Sequence, residues 1–182
     1  MKNKRIAILA PFLVFLTLFI YTQPEKKPIT EESVPASVNT GFNEGKSAPN
    51  FELKTQDGQS IHLSDYRGQK VLLNFWASWC PPCKSEIPDL NEFYIEHEKQ
   101  KMTILSVNMT YSEKNKQTVK SFHHMYKIKY PVLLDQTGNI AKLYGIITIP
   151  TSYFIDSNGI IQKRVIGPLE KETIENLMDS MD

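Results

Sequence analysis

Residues 76–86 read Trp-Ala-Ser-Trp-Cys-Pro-Pro-Cys-Lys-Ser-Glu and contain the only two cysteines of the chain, Cys80 and Cys83. Just before them, residues 70–75 gather Val71, Leu72, Leu73 and Phe75 into a short apolar run that reads as a buried strand, and the residues after them suit a helix. The cysteines therefore fall at a strand-to-helix junction. A thiolate placed there faces unpaired backbone N–H groups and the positive end of a helix, and both lower its pKa. Cysteines separated by two residues in a first helical turn are near enough to close a small disulfide ring, whose stability the intervening residues tune. Pro81 suits that turn, because its φ is already helical and its missing N–H had no partner to lose. Cys80 is expected at the exposed edge as the attacking thiolate, and Cys83, one turn in and better buried, as the thiol that resolves a mixed disulfide.

The chain has 182 residues, 41% of them hydrophobic and 23% charged, which is enough for one substantial core once a tail is set aside. Its 21 basic and 20 acidic residues give a net charge of +1 and form no long basic run beyond the N-terminus, so nucleic acid is not an expected partner. Two cysteines cannot build a multi-bridge framework, and they supply half the ligands of a structural zinc site. His123 and His124 are adjacent and would point from different faces of a helix, which weighs against their completing such a site. Lys84 stands where a haem-attachment motif needs histidine. The cysteine pair is read as redox-active, with no metal and no cofactor beyond the disulfide itself; the competing reading is a permanent disulfide, although so small a loop stabilises little by entropy.

At the N-terminus, Lys2, Lys4 and Arg5 precede an apolar run over residues 6–20, the order of a segment handled by a secretion or insertion machinery. Fifteen residues at about 1.5 Å each reach about 22 Å, short of a roughly 30 Å hydrocarbon core without a contribution from Tyr21 or local thinning. The following Tyr21-Thr22-Gln23-Pro24 lacks the small-x-small pattern of a cleavage site, so residues 1–21 are expected to be a retained signal-anchor, with secretion after cleavage as the alternative. The basic flank would stay in the cytoplasm and the remainder of the chain outside it. Residues 22–46 are rich in Pro, Glu, Ser and Thr without a sustained period and read as a flexible linker, leaving residues 47–182 as the globular domain.

Within that domain, residues 50–53 and 60–63 read as strands of a hairpin about Gln56-Asp57-Gly58-Gln59, and residues 64–68 as one helical turn closed by Gly68. A helix over residues 84–100, kinked at Pro88, carries Ile87, Leu90, Phe93 and Tyr94 on one side. A strand over residues 102–109 and a helix over residues 113–127, with Val119, Phe122, Met125 and Tyr126 on one side, come next. Residues 131–134 (strand), 140–144 (short helix), 151–156 and 160–166 (a hairpin about Ser157-Asn158-Gly159) and 170–181 (amphipathic helix) complete the chain. A β-α-β-α-β half followed by a hairpin and helix predicts an α/β domain with helices on both faces of the sheet.

The Trp76-to-Lys84 motif, together with Ile149-Pro150-Thr151 some seventy residues later, resembles the thioredoxin superfamily. Asn50-Phe51, the Phe-Trp-Ala-Ser-Trp-Cys-Pro-Pro-Cys core, Glu86-Ile87-Pro88 and the N-terminal anchor narrow the resemblance to the TlpA/ResA-like extracytoplasmic thiol-disulfide oxidoreductases. It implies a thioredoxin-like fold with a central mixed sheet, an extra N-terminal hairpin and an inserted helix at residues 113–127. It implies a cis peptide bond before Pro150 and a role for Ile149, Pro150 and Thr151, with Trp79, Pro81 and Pro82, in receiving extended substrate backbone beside the dithiol. Trp76 would pack beneath. Asn74 occupies the position where cytoplasmic thioredoxins carry a buried aspartate and cannot take a proton. The resemblance moves proton handling to Glu86, which shares a helical face with the cysteines; spacing alone leaves an ordinary solvated glutamate equally open. Asp135 is expected as an exposed turn carboxylate, with a place near the site as the alternative.

The function expected from this reading is reduction of disulfides in extracytoplasmic proteins by Cys80 and Cys83, with Glu86 assisting. Clients implied are apocytochrome c or envelope and spore-assembly proteins, and the implied electron donor is a CcdA-like membrane partner; the protein is expected to be a monomer. A dithiol oxidant, and a polypeptide-binding or chaperone module with an incidental dithiol, are the alternatives. A peroxidase would need a Pro-x-x-x-Thr-x-x-Cys frame, which does not surround Cys80.

Overall fold

The computed structural model describes residues 39–97 and 100–181. The expected anchor, and the linker up to residue 38, lie outside the described residues. The elements in order are β1 (Glu52–Thr55), β2 (Ser60–His62), a 3-10 turn (Leu63–Tyr66), β3 (Lys70–Trp76), α1 (Pro81–Ser85), α2 (Ile87–His97), β4 (Met102–Asn108), a 3-10 turn (Thr110–Ser112), α3 (Lys116–Tyr126), β5 (Val132–Leu134), α4 (Asn139–Leu143), β6 (Thr151–Ile155), β7 (Ile161–Ile166) and α5 (Lys171–Asp179). The strands form one seven-stranded mixed sheet in the order β2-β1-β5-β4-β3-β6-β7. Strands β3, β4 and β5 run parallel, while β6 and β7 on one side and β1 and β2 on the other run antiparallel to their neighbours. This is the thioredoxin-like arrangement with an added N-terminal hairpin.

Both faces of β3 are buried, and its two-residue period divides them. Leu72 and Trp76 pack with Ile87, Leu90 and Phe93 of α2 and Ile174 and Met178 of α5, while Val71, Leu73 and Phe75 pack on the other side with Leu105, Val107, Tyr144 and Tyr153. Asn74 lies between Leu72 and Trp76, so the same period aims it at the helical layer that carries the dithiol.

Several elements differ from the sequence expectation for identifiable reasons. The helix following the cysteines breaks at Glu86, two residues before Pro88, because the proline cannot donate an N–H to Lys84 and its ring crowds that carbonyl. The helix expected from residue 113 starts at Lys116: the Asn115 side chain accepts the Thr118 N–H at 3.0 Å and caps it, leaving Glu113 extended and free to reach elsewhere. Met125, expected on the packed side of that helix, is exposed, and Tyr126 stacks on Phe122 instead. Residues 39–46 were expected in the linker, yet Gly45 donates to the Ile161 carbonyl at 2.7 Å and Phe42 packs against the core, so the folded unit begins earlier.

Asp135 is also not an exposed turn residue. It is fully buried and accepts the N–H groups of Gly138 and Ala141, both at 2.9 Å, which closes the start of α4. Asp135→Ala would strand two donors, so a loss of about 2 kcal/mol in urea unfolding is expected. A change below about 0.5 kcal/mol would contradict this role.

Candidate active site

Strand β3 ends at Trp76, and the turn through Ala77, Ser78 and Trp79 delivers Cys80 to the N-cap of α1. Cys80 and Cys83 form a disulfide. The Cys80 sulfur accepts the Cys83 N–H at 3.2 Å, the bond an N-cap side chain makes, and Pro81 occupies the first helical position as its geometry favours. Cys80 was expected at an exposed edge; in this disulfide state it is only 2% exposed, nearly as buried as Cys83. What covers it is the opposing loop. Its Sγ lies 3.7 Å from the Ile149 carbonyl oxygen, and the Ile149–Pro150 bond is cis.

Between these two segments runs a groove of about 320 Å³ lined by Trp79, Pro81, Pro82, Met109, Ile147 and Ile149, with Cys80 in its wall and no charged side chain. Trp79 is 54% exposed and Ile147 94% exposed, so the rim is apolar surface facing water. Trp76 is buried and packs on Phe122 of α3. Pro150 and Thr151 are buried, and the Thr151 hydroxyl donates to the Thr148 carbonyl at 2.8 Å, bracing the loop.

Glu86, at the α1–α2 break, is 1% exposed. One carboxylate oxygen accepts from Asn74 Nδ2 at 2.9 Å and the other from the Leu169 N–H at 3.1 Å. Burial outweighs these two bonds and pushes the carboxyl up to about 7. The same burial raises Tyr130, on which the Glu86 charge acts in the same direction. Asn74 gives its second amide hydrogen to Ser152 Oγ at 3.0 Å, a contact set by the cross-strand pairing of Asn74 with Ser152. Ser106 pairs with Asn74 on the other side, so a polar row of Ser106, Asn74 and Ser152 crosses three strands in the layer that holds Glu86. Sequence reasoning found Asn74 and Glu86 but missed this row, although alternation along β6 places Ser152 opposite Tyr153 and could have shown it.

Glu113 was missed as well. Its carboxylate accepts from the Ser78 N–H at 2.7 Å, the Ser78 hydroxyl at 2.5 Å and Asn108 Nδ2 at 2.8 Å. No local signal marks a residue whose partner lies 35 positions away.

Chemically, a disulfide or dithiol beside an apolar groove, with a carboxyl titrating near neutrality in the layer beneath, is equipped to exchange electrons and protons with another disulfide. The AhpC/TSA family profile matches residues 45–164. The chain is 42% identical over 125 residues, 69% of its length and 75% of the relative's, to sporulation thiol-disulfide oxidoreductase A of Bacillus subtilis (strain 168). It is 34% identical over 177 residues, 97% of its length and 94% of the relative's, to thiol-disulfide oxidoreductase ResA of Geobacillus kaustophilus (strain HTA426). The chain belongs to the AhpC/TSA family, among its thiol-disulfide oxidoreductases. The crystal structure of StoA from Bacillus subtilis superposes on this oxidoreductase with a TM-score of 0.65 at 40% identity, covering 73% of this chain and 98% of the chain in that crystal structure. The oxidoreductase thus shares the fold of that structure over 73% of its length.

Proposed function

We propose that this oxidoreductase reduces disulfides in proteins outside the cytoplasm. The observation that carries the reading is the placement of the Cys80 sulfur in the wall of an uncharged groove, 3.7 Å from the Ile149 carbonyl oxygen, where an extended polypeptide can lie along the loop. Starting from the dithiol, the Cys80 thiolate attacks one sulfur of the client disulfide, forming a mixed disulfide and releasing the first client thiolate. Cys83 then loses its proton and attacks the Cys80 sulfur, releasing the second client thiolate and leaving the Cys80–Cys83 disulfide. Two electrons from a membrane dithiol donor of CcdA-like type restore the starting state. Glu86 is the group assigned to proton exchange with Cys83, since burial sets its titration near the working pH while Asn74 cannot accept a proton. Trp79, Pro81, Pro82, Ile149, Pro150 and Thr151 form the client-binding surface. Residues 1–21 serve as the signal-anchor, placing the domain on the outer side of the membrane; among the described residues no helix is long and apolar enough to cross one. Apocytochrome c and envelope or spore-assembly proteins are the client classes that fit this setting.

The direction of electron flow is tested by the midpoint potential of the Cys80/Cys83 couple. A value at or below about −250 mV is expected of a reductant, and one near −120 mV would make the protein an oxidant and overturn the proposal.

A further inference from the structure

The turn that carries Cys80 is fastened from outside its own neighbourhood. Residues 77–79 connect β3 to α1, and within them Ser78 gives both its N–H and its hydroxyl to Glu113, at 2.7 Å and 2.5 Å. The carboxylate is itself held by Asn108 Nδ2 at 2.8 Å, from the fully buried end of β4. One residue away, the Trp79 indole N–H reaches the Ser112 carbonyl oxygen at 3.2 Å and its hydroxyl at 3.3 Å. The segment 110–113 thus grips two consecutive residues immediately before the cysteine.

Glu113 is not needed to build the segment it belongs to. Its backbone N–H already closes the 3-10 turn onto the Thr110 carbonyl at 3.1 Å, and α3 is capped by Asn115. Among the described residues, the carboxylate accepts hydrogen bonds from Ser78 and Asn108. Without it, the Ser78 N–H and hydroxyl lose their acceptor, and the half-exposed Trp79, which forms one wall of the groove, is left hanging on two long contacts to Ser112.

We propose that Glu113 is a positioning residue for the exchange reaction: anchored by Asn108, its carboxylate fixes Ser78 and so sets Trp79 and Cys80 in register with the Ile149 loop across the groove. A client that spans both walls feels any drift between them, whereas a small disulfide that needs only the Cys80 sulfur feels less. The inference rests on the exchange chemistry proposed above, and the test separates the two. Second-order rates of the reduced protein are measured with insulin and with bis(2-hydroxyethyl) disulfide for the parent, Glu113→Ala and Glu113→Gln, with the urea midpoint recorded for each. If the parent reduces neither compound, the proposed function fails before Glu113 is addressed.

With an active parent, Glu113→Ala is expected to slow insulin reduction about tenfold and the small disulfide about threefold or less, as misplacement of reacting groups by a fraction of an ångström does. Glu113→Gln can still accept from the Ser78 N–H and Asn108 through its carbonyl and donate to the Ser78 oxygen, so it is expected to return the insulin rate to within about threefold of the parent. An insulin rate within twofold of the parent in Glu113→Ala, equal slowing of both compounds, or a glutamine variant no better than alanine overturns the positioning role. Should Glu113→Ala show no folded baseline, Ser78→Ala takes its place; it removes the hydroxyl bond but keeps the backbone one, and the expected loss on insulin is about threefold, with no loss counting against the proposal.

Discussion

Cys80→Ser is expected to lower disulfide-reductase turnover by at least about a thousandfold, because a serine hydroxyl neither ionises near neutral pH nor forms a bond to sulfur. The loss should appear with every disulfide offered, since the missing atom is the nucleophile and not a binding group. Cys83→Ser should lose steady-state turnover to a similar degree but by another route. The first attack still occurs, and the reaction stops at the mixed disulfide because no second thiol is present to release it. The asymmetry arises from the N-cap geometry. Both cysteines belong to the apolar layer with Trp76, Ile87 and Leu90, but of the two it is Cys80 that also lines the groove and supplies the sulfur that accepts the Cys83 N–H. Retention of more than about a tenth of the parent rate in Cys80→Ser would remove the proposed nucleophile.

The second large effect concerns Glu86 and pH. Its folded-state value of about 7 lies above the 4.5 of the free side chain, so the fold disfavours the ionised form. Below about pH 4.5 the carboxyl is protonated in both folded and unfolded chains and the shift contributes nothing; between about 4.5 and 7 the folded chain holds more protons, so stability falls as pH rises. The full shift corresponds to roughly 3 kcal/mol, an upper bound for one buried group. Glu86→Gln removes this titration. At pH 5 the variant should be less stable than the parent, because an amide nitrogen then faces either the Asn74 amide or the Leu169 N–H where an oxygen accepted before. The gap should narrow steadily up to pH 8, and a parallel pair of stability curves across that range would show that Glu86 does not titrate there. The same substitution should erase any step near pH 7 in the rate of client reduction.

Much of this was legible in the chain, for reasons that differ by element. The dithiol junction could be read because the apolar run over Val71, Leu72, Leu73 and Phe75 and the Cys-Pro-Pro-Cys segment are both local signals: one is a matter of burial, the other of helix-start chemistry. Glu86 was visible by its helical spacing from the cysteines, but its complete burial was not, since that depends on Leu169 from the far end of the chain closing over it. Pro88 signals a helix break in the sequence, and the break falls at Glu86 because a proline disturbs the turn before it. Asp135 has the sequence signature of an exposed residue and is buried in the fold. Its neighbours Gln136, Thr137 and Gly138 have the composition of a surface turn, and nothing local indicates that the carboxylate folds back to cap α4. The burial of Cys80 beneath Ile149 and the grip of Glu113 on Ser78 are products of tertiary pairing across 69 and 35 residues, beyond the reach of any periodicity.

Stepwise thiol-disulfide exchange, with Cys80 attacking and Cys83 resolving, leaves a covalent intermediate that can be trapped. Reduced Cys83→Ser and Cys80→Ser variants are each mixed with a peptide disulfide, quenched with acid and mapped by mass spectrometry. A long-lived adduct on Cys80 is expected in the first variant, and little or none on Cys83 in the second. Adduct forming on Cys83 as fast as on Cys80, or on neither, would contradict it.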